Sequence, residues 1–184
     1  MSYTQAEKLQ ILMLTEIFRK LNIENSFNPD IIDIAVTTDN TWILGWECDA
    51  LQTDEGTPPD VIWVADVLTM YNDLLFSYKK LNPDEIKKLE DELEHFHGEQ
   101  TFTFPGFDGN NEGRFMTIAD LFKRANRFTN MDITKNSHMP TEEIYSRMLE
   151  VFNEERKSFI HGKGLPIQSL INIIKARIHP ENRK

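Results

Sequence analysis

The sequence predicts an all-α fold: a single domain over residues 1–184, built from six to eight helices, with one short extended piece near residues 101–104. Three observations carry this expectation. Apolar residues recur at steps of three and four along most of the chain. Cap and breaker residues stand where those periodic segments begin and end. With 184 residues, 40% of them hydrophobic and 27% charged, the chain is long enough to bury a core without disulfide or metal staples.

Taken in chain order, Thr4-Gln5-Ala6-Glu7 is a capping box that starts a helix running to about Asn22. Its Leu9, Leu12, Met13, Glu16, Ile17 and Leu21 follow mostly at three- and four-residue steps and predict one buried face. After a connection at 25–28, Asn28-Pro29 reads as a cap with proline at the first helical position. The β-branched run over 31–38 also suits a short strand, and the helix is preferred. Residues 39–59 hold Trp42, Trp46 and Cys48, then a loop at 53–59 ending in two prolines.

Val61, Val64, Ala65, Leu68, Tyr71, Leu75 and Tyr78 mark a long helix with a wide apolar stripe, the expected centre of the domain. Asn82-Pro83-Asp84-Glu85 opens an outer helix that Gly98 closes, so that His95 and His97 lie on it. Residues 98–111 form a loop that is rich in glycine and aromatic residues. A helix over 112–128, a loop over 130–140, a helix from Thr141 and a final Ile-rich helix after Gly164 complete the chain.

The formal net charge of −10 argues against general nucleic-acid binding, and the basic residues are unevenly placed. From Arg156 onward seven basic residues stand against Glu181 alone, a local charge of +6, leaving −16 on the rest. Such a tail suits docking on an acidic face of the same protein or of a second subunit, or complements the C-terminal end of a last helix. A lone Cys48 fits a reducing compartment and reads as a packing thiol. The N-terminus shows no signal-peptide pattern, and no apolar run reaches the ~20 residues that cross a bilayer. The expected location is the cytoplasm, with no membrane partner and no cofactor.

The chemistry-bearing residues cluster in one block. Asp108-Gly109-Asn110-Asn111-Glu112-Gly113 begins like a calcium loop, but the ninth and twelfth positions are Met116 and Ala119, so the closing ligands are absent. Asp108, Glu112 and Arg114 remain as binding candidates, with a structural role as the alternative: Asp108 accepting from a helix start, Glu112 and Arg114 pairing with charges elsewhere. Arg114, Arg124 and Arg127 do not share one helical face well enough to hold an anion. His95 and His97 chelate a metal only from a strand, no third ligand is identifiable, and no metal site is expected. Arg156 and His161 have the Arg-x4-His spacing of HEPN-type ribonucleases, in which such a pair acts on RNA. On an unbroken helix, however, the two diverge by about 140°.

Gly106-Phe107-Asp108 with Glu112, Arg114 and Phe115, followed by Tyr145-Ser146-Arg147-Met148-Leu149, resembles the YfbU-like family of small bacterial helical proteins. The resemblance runs from Thr4 to the Ile-rich last helix and departs from shorter members after the first helix and around residues 81–100. It implies an all-helical, cytoplasmic protein that self-associates, and it supplies no established activity. The expected function is therefore a non-enzymatic oligomeric interaction or regulatory protein, with an RNA-cleaving factor using Arg156 and His161 as the alternative. RNA left intact by the purified chain, with no cellular effect of His161→Ala, rules that alternative out.

Overall fold

A computed structural model describes residues 3–24, 27–52 and 56–182, and among them there are eight α-helices and no strand. The helices are α1 (Gln5–Lys20), α2 (Pro29–Thr37), α3 (Trp42–Glu47), α4 (Pro59–Tyr78), α5 (Pro83–Glu92), α6 (Gly113–Arg124), α7 (Glu142–Glu155) and α8 (Ile167–Lys175). Part of the connection expected at 25–28, part of the loop expected at 53–59, and the last two basic residues of the tail lie outside the described residues.

Local chemistry sets most boundaries. The Thr4 and Glu7 side chains close the capping box of α1, and Asn82 and Glu85 do the same for α5. Asn28 caps α2, with Pro29 in the first turn, so the β-branched run is helical. α4 is the central helix: Val61, Val64, Val67, Leu68, Met70, Tyr71, Leu74 and Ser77 are all buried on it. α6, α7 and α8 pack around α4, while α2 and α3 form a smaller cluster through Ile31, Ala35 and Ile43, which reaches α6 at Leu121.

Three expectations need correction. The stretch near 101–104 is extended only from Thr103, because Gly98–Phe102 winds into a 3₁₀ turn that buries Thr101 and Phe102 against the core. α5 stops at Glu92, since Leu93 turns extended to bury its side chain, and His95 and His97 therefore lie beyond the helix. The largest difference concerns α1, whose Leu9, Met13, Ile17 and Leu21 were expected inside. They are 60%, 56%, 52% and 66% exposed, and the one fully buried residue of α1 is Thr15.

The approach to α8 depends on a close contact. Gly164 has φ +87° and lies so near α4 that a Cβ would sit 2.9 Å from Ser77 Cα. The Ser77 hydroxyl accepts from Leu165 N–H at 2.8 Å in the same place. Gly164→Ala combines left-handed strain with a backbone clash and is expected to cost about 3 kcal/mol, a melting temperature lower by about 6–12 °C. Thermal unfolding followed by circular dichroism measures it.

Candidate functional site

The block from Gly106 to Phe115 folds around the Glu112 carboxylate, which is buried where α6 begins. One oxygen, Oε1, accepts from the N–H groups of Thr141 at 2.5 Å and Glu142 at 2.8 Å. The other, Oε2, accepts from Asp108 N–H at 2.8 Å and the Thr141 hydroxyl at 2.7 Å. Thr141 is the N-cap of α7, yet its own side chain does not cap that helix. Glu112 does so from 29 residues upstream, placing a negative charge at the positively polarised helix end.

Burial acts to raise the Glu112 pKa, but the four hydrogen bonds outweigh it and hold the carboxyl below its usual range. Asp108 is committed as well. Its oxygens accept from the Asn111 amide and from Asn110 N–H, and these bonds hold its carboxyl low. Both carboxylates of the calcium-like loop are thus already taken up by protein donors. Gly106, at φ +112°, lies against the Lys135 carbonyl where no Cβ fits, and its own carbonyl accepts from the Tyr145 hydroxyl at 2.6 Å.

Arg114 spans two helix starts, with Nε 3.2 Å from Asp60 at the head of α4 and Nη2 3.0 Å from Glu142 at the head of α7. Its guanidinium lies 4.4 Å from the Phe115 ring centroid. Arg124 pairs with Asp120, and Arg127 lies over Trp46, so the three arginines serve three different partners. The later segment is equally occupied. Ser146 accepts from the Trp63 indole, Met148 sulfur from the Tyr71 hydroxyl, and Arg147 donates to the carbonyls of Ala176 and Arg177 at the end of α8. Sequence reasoning missed the roles of Tyr145 and Arg147, because their partners lie about 30 residues or more away.

Arg156 and His161 are not joined by a hydrogen bond or an ion pair. Arg156 lies over the Phe152 ring in a 3₁₀ turn after α7, and exposed His161 sits in the tight turn closed by Ile160 and Gly164. His95 and His97 both line a cavity of about 550 Å³ between the end of α5 and α8, with Leu93, Ile174 and Arg177. Among the described residues no three His, Cys, Asp or Glu side chains are grouped to hold a metal, and no helix is long and apolar enough to cross a membrane.

The remaining feature is α1. Lys8 pairs with Asp39 at 2.7 Å, Arg19 with Asp30 and Asp33 at 2.6 Å, and the Thr15 hydroxyl donates to Asp33 at 2.5 Å. These contacts and half-buried Ile11, Leu12 and Phe18 turn one side of α1 toward α2. The opposite side carries Leu9, Met13, Leu14, Ile17 and Leu21, between 52% and 66% exposed. Ile11 also borders a groove of about 280 Å³ lined by Phe27, Ile31, Val36, Leu44 and Leu51.

The family model of the YfbU domain matches residues 1–176. The chain belongs to the YfbU family. UPF0304 protein MJECS11 of Methanocaldococcus jannaschii is a similar protein, 25% identical over 177 residues that cover 90% of this chain and 98% of the relative. Neither name carries an activity. In this YfbU chain, the block from Gly106 to Phe115 is the clasp that joins α6 to α7.

Glu112→Gln keeps the shape but sets an amide N–H₂ against backbone donors, and is expected to cost about 3 kcal/mol at neutral pH, about 6–12 °C in melting temperature. Because Glu112 and Asp108 are held below their unfolded values, about 4.3 and 3.9, the stability they contribute is present above those values. It is lost as pH falls through the folded values. The gap between wild type and Glu112→Gln therefore narrows on acidification, as denaturant titrations at pH 7 and below pH 4 measure.

Proposed function

We propose that this chain is a non-enzymatic cytoplasmic interaction protein that works by self-association, with the outward side of α1 as its docking face. The observation that supports this reading is the orientation of α1. A helix apolar on both sides is ordinarily covered on both sides, yet α2 covers only one. The five residues of the outward side are each more than half exposed, and at about 1.5–3 kcal/mol per fully buried side chain they withhold about 5 kcal/mol from the monomer. The ion pairs of Lys8 and Arg19 that frame the inner side are solvent-accessible and individually weak, so they do not offset this exposure.

The candidate site residues support the same reading. Asp108, Glu112 and Arg114 are all engaged with protein partners, and Arg156, lying over the Phe152 ring, makes no hydrogen bond or ion pair with His161. Light scattering of the wild-type chain at micromolar concentration is expected to give an assembled mass. The pair Met13→Glu and Ile17→Glu, on an exposed surface, leaves helicity intact and gives a monomer. A strictly monomeric wild type overturns the proposal.

A further inference from the structure

We propose that the cavity of about 550 Å³ between the end of α5 and α8 binds an organic monocarboxylate, its charged head on the Arg177 guanidinium and its apolar body against Leu93 and Ile174. The walls come from a change in backbone direction. α5 stops at Glu92, Leu93 turns extended, and the chain returns through the 3₁₀ turn Gly98–Phe102 to face the end of α8. Thr101, buried in that turn, ties down both polar sides of the cavity. Its hydroxyl accepts from His97 N–H at 2.8 Å, and its carbonyl accepts from Arg177 Nη1 at 3.5 Å.

The charge left over in this cavity is that of Arg177. The other cation of the lining, Lys175, lies 2.7 Å from Glu92, so that pair neutralises itself. Among the described residues half-buried Arg177 forms no ion pair, and the guanidinium hydrogen bond to Thr101 is at the long limit for such a contact. Its charge nevertheless reaches the core: burial raises the Tyr71 and Tyr145 hydroxyls, and Arg177 acts against that rise at both. A half-buried cation without a counter-charge is costly, and most of its N–H donors remain for a planar, bidentate acceptor.

The lining also selects the class of anion. One uncompensated cation suits a single negative charge better than a phosphate dianion. Leu93 and Ile174, 6% and 7% exposed, form an apolar wall that an inorganic ion leaves uncovered, and the volume is in the range of small-molecule sites. His95 and His97 line the same cavity and supply further imidazole donors, while Glu94 is exposed, so water and salt screen its repulsion. The described lining runs from Glu92 to Thr101 and from Ile174 to Asn182, apart from the α1 face, so this site and the assembly reading stand or fall separately.

A titration of the ¹⁵N-labelled full chain at pH 7, followed by amide chemical shifts, tests the site with octanoate, octylamine and inorganic phosphate as probes. Octanoate is expected to shift the amides of His97, Thr101 and Arg177 with a Kd below about 1 mM, a modest affinity for so small a ligand. Arg177→Gln is expected to weaken it about tenfold, as loss of a charge-assisted pair implies. Octylamine, with the same tail and the opposite charge, leaves these amides unmoved, and phosphate binds more weakly than octanoate. No response to octanoate up to about 5 mM overturns the proposal, as do shifts confined to other residues. Equal binding of octylamine overturns the role of Arg177, and tighter binding of phosphate overturns the ligand class. Should Arg177→Gln unfold by circular dichroism, the contrast between octanoate and octylamine in the wild type decides alone.

Discussion

The carboxylate of Glu112 is the point on which the later half of the fold depends. It receives donors from the loop at Asp108 and from the first residues of α7, while its own backbone begins α6. A buried negative charge is costly unless its oxygens are filled, and here each oxygen accepts two hydrogen bonds. The same bonds satisfy helix-start N–H groups that would otherwise lack partners inside the protein. One side chain thus answers two desolvation problems at once, and α6 and α7 are set against each other as a result.

Around this point the block from Gly106 to Phe115 meets the segment at 145–149. The Tyr145 hydroxyl reaches the Gly106 carbonyl, and the Tyr145 ring packs against Phe104, Phe107 and Tyr71 in an aromatic cluster. Burial pushes the Tyr71 hydroxyl up to about 12, so both tyrosines are neutral donors throughout the physiological range. Arg147, on the same helix, closes the far end of α8. Together these two segments are an architectural device: they join the loop at 106–112, α6, α7 and α8, and their charged groups are engaged. α1 lies outside this arrangement, attached through α2, and no residue of it enters either core cluster.

Local signals made much of the architecture legible. The capping boxes at Thr4 and Asn82, the Asn28-Pro29 start and the wide stripe of α4 all depend on residues within one or two turns of each other. α3 was not legible, because six residues are too few to establish a period and Thr41 makes no side-chain cap. Glu112 and Arg114 were visible as candidates, but the identity of their partners was not. A carboxylate 29 positions from the helix that it caps leaves no periodic trace.

What the sequence by itself determined is where most of the helices begin and which of their faces are apolar, because each follows from short-range sterics, capping and spacing. Which apolar face is covered, and by what, was decided only by tertiary structure. Periodicity marks Leu9, Met13, Ile17 and Leu21 as one ridge but is silent on what meets it. In the folded chain α2 meets the side of α1 that carries Ile11, Thr15 and Arg19, so the ridge points outward, and that contact exists only once the two helices are side by side.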